Sequence, residues 1–213
     1  MGFATRQIHA GKHDNGVGAL CTPIYQTSTF EFDTVQQGGA RFAGQEEGYI
    51  YSRLGNPSLT QVEEKLAALE GGEAALATAS GAAAITYTIQ ALAKQGENIV
   101  AANTIYGGTY NLLEHTLPLY GITAKFVDPY VEGSFEAAID ENTKALYVES
   151  LGNPNSNVAD IETLAKIAHK HGIPLVVDST FATPYLLRPI EYGADIVVHS
   201  ATKFIGGHGT AIG

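Results

Sequence analysis

Short apolar runs alternate with helix-like segments over residues 74–213, and this alternation constrains the fold more than any other feature of the chain. The runs have no polar face, as is typical of parallel strands covered by helices on both sides. The pattern therefore predicts an α/β fold with a mainly parallel sheet. The predicted strands are 74–79, 98–102, 122–127, 144–149, 173–178 and 195–198, and the predicted helices among them are 81–94, 106–117, 134–140 and 160–171.

The N-terminal part has a different character. Residues 1–55 show weak periodicity and many glycines, which is typical of an extended arm rather than of a core element. A predicted helix follows, since Asn56 can cap it, Pro57 suits its first turn and Gly71 can end it. We therefore expect an arm over 1–55 and a large domain over 56–213.

Charge and composition exclude several classes of partner. The formal net charge is −10, so nucleic acid and anionic membrane surfaces are not expected to bind. No apolar run is long enough for a transmembrane helix. The single cysteine, Cys21, excludes an internal disulfide and fits a cytoplasmic location. No metal is expected, because His169 and His171 lie two apart and so not on one helix face.

Ligands of parallel α/β sheets bind beyond the carboxyl ends of the strands, so the residues at those ends are the candidates for chemistry. Lys203 follows the last apolar run, between hydroxyl residues and glycines. A lysine there is either a solvated loop residue or, beside a dry cleft, an amine nucleophile. Asp178 ends the preceding run and either caps the next turn or is a buried anion that pairs with a ligand cation.

Three further segments offer phosphate or ring contacts. Residues 80–82 (SGA) open a helix whose free amides suit a phosphate, although the serine could be an ordinary cap. Tyr106 follows a strand and is either a core residue or a ring that stacks on a planar ligand. Tyr51 and Arg53 are either solvated arm residues or a phosphate clamp.

Together these groups match the needs of one cofactor. Pyridoxal 5'-phosphate requires a lysine for its Schiff base, a carboxylate for its pyridine nitrogen and a phosphate site. The sequence contains no G-x-G-x-x-G, no P-loop and no G-x-S-x-G motif, so nucleotide binding and serine hydrolysis have no support.

The segment VVDSTFATPYLLRPIEYGADIVVHSATKFIGGHGT, at 176–210, resembles the Cys/Met-metabolism family of pyridoxal-phosphate enzymes. The resemblance extends from HAG at 9–11 to the last residue. It implies the large domain of the aspartate-aminotransferase-like fold, fold type I. Because family members are longer, we expect their C-terminal small domain, with the arginine that binds the substrate carboxylate, to be absent from this chain.

The resemblance implies a role for each candidate residue. Lys203 resembles the Schiff-base lysine, Asp178 the partner of the pyridine nitrogen, and Tyr106 the tyrosine that stacks on the ring and assists proton transfer. Asn153 resembles the asparagine near the ring hydroxyl, and Thr180 a residue that positions the ring. The implied phosphate ligands are Ser80, Gly81, Ala82, Ser200 and Thr202, with Tyr51 and Arg53 supplied by the arm of a neighbouring subunit.

Within the family, YGGTYNLLEHTLP at 106–118 and FIGGHGTAIG at 204–213 resemble O-acetylhomoserine sulfhydrylase. That enzyme converts O-acetyl-L-homoserine and sulfide to L-homocysteine and acetate, a step of methionine biosynthesis, and the resemblance implies a homotetramer built from dimers. Methionine γ-lyase is the alternative, because FAGQEEGYIYSRLGNP at 42–57 is similar to its arm, although that lyase usually has a cysteine in place of Gly108. A non-catalytic module kept for assembly is an alternative of another class.

Overall fold

The computed structural model describes residues 1–213, which form two compact units, Met1–Ala77 and Thr78–Gly213. The helices of the first unit are α1 (Phe3–His9), α2 (Val35–Phe42) and α3 (Pro57–Glu70). Weak periodicity over 1–55 gave no indication of α1 and α2. The cap of α3 is as predicted, since Asn56 accepts the Ser58 N–H and Gly71 ends the helix at a φ of +80°.

The second unit is built on a five-stranded sheet with the strand order β2-β1-β3-β4-β5. All four neighbouring strand pairs are parallel, which confirms the predicted α/β fold. The strands are β1 (Asn98–Ala102), β2 (Thr123–Val127), β3 (Thr143–Glu149), β4 (Leu175–Asp178) and β5 (Ile196–Val198).

Helices link these strands and cover the sheet. They are α4 (Gly81–Leu92), α5 (Gly107–Asn111), α6 (Ser134–Ala138), α7 (Ile161–Lys170) and α8 (Thr183–Leu186). A π-helical turn, Leu112–Thr116, and a 3-10 turn, Leu117–Tyr120, follow α5, and another 3-10 turn spans Pro189–Tyr192. The core of this unit lies on β1, β3 and β4, whose apolar side chains are buried. None of the helices has the length and apolarity needed to cross a membrane.

The predicted strand at 74–79 is wrong, because these residues form no strand. The run AALATA is mostly alanine, which has little preference for strands and little apolar surface to bury in a sheet. Within the first unit, the Ala77 N–H donates to the Glu63 carboxylate at 2.8 Å, where a strand would have offered it to a neighbouring backbone.

Strand order determines where a ligand can bind. The chain passes from β1 to the edge strand β2 and then returns to β3 on the other side of β1. Connections therefore leave β1 and β3 in opposite directions, and a crevice opens beyond their carboxyl ends. The loop after β1 leads to Tyr106 and the loop after β3 contains Asn153. Beside them, β4 ends at Asp178 and β5 runs into 199–203.

Candidate functional site

Three buried polar side chains lie at the carboxyl ends of β3 and β4. Glu149 and Asp178 are register partners on these adjacent strands. Tyr147 lies two residues before Glu149 and therefore on the same face of β3. The exposed fractions are 0% for Tyr147, 7% for Glu149 and 9% for Asp178. The Tyr147 hydroxyl lies 3.4 Å from Asp178 Oδ2, so the three groups form one cluster.

Asp178 both caps a turn and keeps acceptor capacity. Its Oδ1 accepts the Thr180 N–H at 2.9 Å, as expected of a capping carboxylate. It forms no ion pair, since no Lys, Arg or His pairs with it. A buried carboxylate is strongly stabilised by an opposite charge. Asp178 is therefore suited to a ligand cation.

Tyr147 keeps its proton in this cluster. Burial, followed by the negative charges of Asp178 and Glu149, holds the pKa of the Tyr147 phenol well above its usual value. The hydroxyl therefore remains a donor directed at Asp178 Oδ2. Its contribution is a neutral hydrogen-bond donor, which leaves the charge of Asp178 unneutralised.

Glu149 joins two loops. Its Oε1 accepts the Tyr106 N–H at 2.6 Å, and its Oε2 accepts the Asn153 N–H at 3.1 Å. Burial raises the pKa of Glu149 from 4.5 to about 7; the nearby Asp178 charge adds to this, and the two N–H bonds oppose it. Desolvation of the carboxylate thus outweighs its hydrogen bonds.

This raised pKa has a consequence for stability. Between pH 4.5 and about 7 the folded protein keeps a proton on Glu149 that the unfolded chain has released. The free energy of unfolding should therefore fall as pH rises through this window, by about 3 kcal/mol for one group. Urea unfolding of the protein and of Glu149→Gln at pH 5, 6, 7 and 8 measures the difference. We expect the variant to lose this component, and parallel pH curves for the two proteins would contradict the assignment.

A second group of residues meets where α4 begins. Ser80 caps α4 by accepting the Ala83 N–H at 3.2 Å, and the first-turn amides of Gly81 and Ala82 have no partner within the helix. Gly81 lies so close to Ser200 that an added Cβ would approach the Ser200 Cβ to 2.5 Å. Thr180 Oγ1 accepts the Ser200 N–H at 2.8 Å, which ties this segment to the end of β4. Such free amides beside hydroxyls can bind an anion.

Lys203 lies in the turn that follows β5 and is exposed. Its N–H donates to the Ser200 carbonyl at 3.1 Å, and its carbonyl accepts the Gly207 N–H at 2.8 Å, so the turn is fixed while the amine is free to reach a ligand. The Thr202 hydroxyl is bonded to both backbone groups of Gly213, at 3.1 and 3.0 Å. Its binding of a phosphate stays a prediction.

Tyr106 is 54% exposed, which excludes the interpretation that it is a core residue. It precedes α5, and its ring lies against the backbone of Gly108, where an added Cβ would approach Tyr106 Cε1 to 2.4 Å. The ring therefore depends on a glycine at position 108 for its present orientation.

Tyr51 and Arg53 belong to the first unit, Met1–Ala77. The Arg53 guanidinium lies 5.3 Å from the centre of the Tyr51 ring, a cation–π contact. Tyr51 also forms an isolated antiparallel bridge with Thr29. Their binding of a phosphate in a neighbouring subunit stays a prediction.

Glu149 and Tyr147 are not among the residues predicted from the sequence. The run KALYVE predicts a buried strand, but it also contains polar groups at alternate positions near its carboxyl end. Buried polar residues are more informative than buried apolar ones, so this spacing was a usable signal. No group of three or more His, Cys, Asp or Glu side chains that could hold a metal ion is present.

Comparison with known proteins identifies relatives over the whole chain. A family model described as "Cys/Met metabolism PLP-dependent enzyme" matches residues 4–213. The chain is 57% identical over 212 residues to an L-methionine gamma-lyase of Porphyromonas gingivalis, which covers 99% of this chain and 53% of the relative. It is 53% identical over 213 residues to a homocysteine synthase of Schizosaccharomyces pombe, which covers 99% of this chain and 50% of the relative.

Solved structures also match the whole chain. A crystal structure described as a putative O-acetylhomoserine (thiol)-lyase from Campylobacter jejuni has a TM-score of 0.97 and 42% sequence identity. The match covers 100% of this chain and 53% of that one, and the crystal contains N'-pyridoxyl-lysine-5'-monophosphate. The chain spans about half the length of the curated relatives it matches.

Proposed function

Because the chain belongs to the Cys/Met-metabolism family of pyridoxal-phosphate-dependent enzymes, we propose that it forms the cofactor-binding part of an O-acetylhomoserine sulfhydrylase. The substrates would be O-acetyl-L-homoserine and sulfide, and the products L-homocysteine and acetate. The observation that carries this choice is Gly108 beside Tyr106, where methionine γ-lyases usually have a cysteine.

The residues present fit pyridoxal phosphate. Asp178 is a buried carboxylate with no cationic partner, as a protonated ring nitrogen requires. The α4 N-terminus offers the free amides of Gly81 and Ala82 beside the Ser200 hydroxyl, which suits the phosphate. Tyr106 is exposed and can stack on the ring. Lys203, in the turn that follows β5, would bind the cofactor covalently.

When bound, the cofactor supplies an electron sink that stabilises negative charge at the substrate α-carbon. Lys203 Nζ would take the α-proton as a general base and return a proton later. Asp178 would hold the proton on the ring nitrogen, and the Tyr147 hydroxyl would keep Asp178 Oδ2 in place. Asn153, in the loop after β3, would lie near the ring hydroxyl.

The reaction can be tested by product analysis. The intact enzyme, supplied with pyridoxal phosphate, should form homocysteine from O-acetyl-L-homoserine only when sulfide is present. Methionine alone should give little methanethiol. Rapid release of methanethiol and 2-oxobutanoate from methionine would instead identify a γ-lyase, the candidate favoured by 57% identity to the Porphyromonas gingivalis enzyme. Inertness toward both substrates would contradict both candidates.

We propose that residues 1–55 act as an arm that brings Tyr51 and Arg53 to the phosphate of a neighbouring subunit. The enzyme would then be at least a dimer, and we propose a homotetramer in the cytoplasm. Size-exclusion chromatography with light scattering measures the assembly, and mixing an Arg53→Ala protein with a Lys203→Ala protein tests whether the sites are shared.

Gly81 should be intolerant of a side chain. In Gly81→Ala the new Cβ would lie 2.5 Å from the Ser200 Cβ and 2.8 Å from its Cα, so α4 or the 199–203 segment must move. We expect weaker binding of pyridoxal phosphate, by about 10- to 100-fold if about 1.4–2.8 kcal/mol is lost. Fluorescence titration of the apoprotein measures it. The matched control is Gly39→Ala in α2, where an added Cβ meets nothing within 4 Å; equal affinity in both variants would contradict the prediction.

A further inference from the structure

We propose that Glu149 is a positioning residue that fixes Tyr106 and Asn153 relative to each other by binding one backbone N–H of each. The two residues reach this site from different strands, since Tyr106 follows β1 and Asn153 follows β3. The roles of these two residues rest on the proposed function. Their contacts with Glu149 are observed in the structure.

The two contacts use both oxygens of one buried carboxyl group. Oε1 accepts from Tyr106 at 2.6 Å, and Oε2 accepts from Asn153 at 3.1 Å. Glu149 is 7% exposed and makes no ion pair, so these N–H groups are its polar partners among the hydrogen bonds of the second unit. A carboxylate with two acceptor oxygens can bind both donors at once, which an amide cannot do.

Position in the sheet explains why such a tie matters. The loops after β1 and β3 are the two walls of the crevice at which the strand order reverses. Connections at this point diverge, and the β1–β3 ladder ends at the Ala101–Tyr147 pair, before either loop begins. Glu149, the last residue of β3, reaches the β1 wall through Tyr106 and the next turn of its own chain through Asn153.

A second carboxyl group, that of Asp178, lies beside Glu149 on the neighbouring strand. Asp178 is the register partner of Glu149 on β4, so two carboxyl groups face the same side of adjacent strands. The titratable groups that face Glu149 are Asp178 on β4 and Tyr147 on β3; the two loops present backbone N–H groups to it. The tie is complete only when Glu149 is ionised, because a protonated carboxyl replaces one acceptor with a donor.

The test is Glu149→Gln in the holoenzyme. The amide keeps one acceptor but places an NH2 donor against the other backbone N–H. We expect kcat to fall by about 10- to 100-fold with a smaller change in KM, as for a reacting geometry displaced by about 1 Å. Hydrogen exchange of segments 103–108 and 150–156 should accelerate in the apoprotein and in the holoenzyme. In the parent enzyme kcat should rise with pH as Glu149 ionises. This rise should be absent from the pH profile of the variant.

The matched control is Glu97→Gln. Glu97 also accepts a backbone N–H, from Lys94 at 2.8 Å, but it lies just before β1, at the amino ends of the strands. This variant should leave kcat and the exchange of both loop segments unchanged. If Glu149→Gln does not fold, Glu149→Asp replaces it, since the shorter carboxylate cannot reach both N–H groups and should loosen at least one segment.

Two results would overturn the proposal. One is unchanged kcat and unchanged exchange in both segments. The other is lower unfolding stability in Glu149→Gln with normal exchange of these segments and a normal absorption spectrum of the bound cofactor, which would make Glu149 merely structural. Exchange and absorption do not depend on the substrate, so they test the tie even where the enzyme proves inactive on O-acetylhomoserine and the proposed reaction fails.

Discussion

Lys203→Ala should abolish covalent attachment of pyridoxal phosphate and, with it, turnover. Lys203 follows β5 in a turn that its own backbone hydrogen bonds hold in place. No other lysine is a candidate at the carboxyl ends of the strands. Loss of a general base alone lowers rates by about 10²- to 10⁴-fold, and loss of the covalent bond adds to this. Intact mass spectrometry after borohydride reduction should show a pyridoxyl-phosphate increment on the parent protein and none on the variant.

The control for this variant is Lys166→Ala. Lys166 lies on α7 and pairs with Glu162 at 2.7 Å in an exposed i,i+4 contact, which contributes little to stability. It should keep both the mass increment and the activity. A borohydride-stable increment in Lys203→Ala, or normal turnover, would move the covalent bond to another residue.

Asp178→Asn should retain the fold but lose most of the activity. The amide can still accept the Thr180 N–H, so the turn at the end of β4 should persist. It cannot stabilise a protonated ring nitrogen. Removing one partner of a buried charge pair costs about 3–5 kcal/mol, so we expect kcat/KM to fall by about 10²- to 10⁴-fold. Steady-state kinetics and the absorption spectrum of the bound cofactor measure the effect.

Asp195→Asn provides the comparison. Asp195 accepts the Leu175 N–H at 2.8 Å and pairs with His169, at the amino ends of the strands of the same sheet. Its substitution should change stability slightly and leave kcat/KM near that of the parent enzyme. Equal losses in Asp178→Asn and Asp195→Asn would indicate a general loss of structure and would remove the evidence for a special role of Asp178.

The parallel sheet was predictable because its strands are buried on both faces. Runs such as NIVAA and LVVD carry almost no polar side chains between their ends, and this pattern is typical of strands covered by helices on both sides. The positions of Asp178, Tyr106 and Lys203 at or after strand ends were predictable for the same reason, whereas their roles stay predictions.

What remained hidden depends on contacts between distant segments. The run 74–79 has the apolar character of a strand, yet sequence does not reveal whether a neighbouring backbone can pair with it. Glu149 was overlooked because its partners are backbone N–H groups of Tyr106 and Asn153, which leave no trace in side-chain type. The hydrogen bonds of the Thr202 hydroxyl to the Gly213 backbone are likewise not predictable from the spacing of residues in the sequence.

The strand order β2-β1-β3-β4-β5 also bears on how the protein acquires its cofactor. Tyr106, Asn153, Asp178 and Lys203 follow or end four different strands, so the proposed binding site is not complete in any single supersecondary unit. Contacts between segments so distant in sequence form slowly, because the closing of long loops precedes them. Recovery of cofactor absorbance during refolding would therefore report completion of the whole sheet, whereas the helical circular dichroism signal would return earlier.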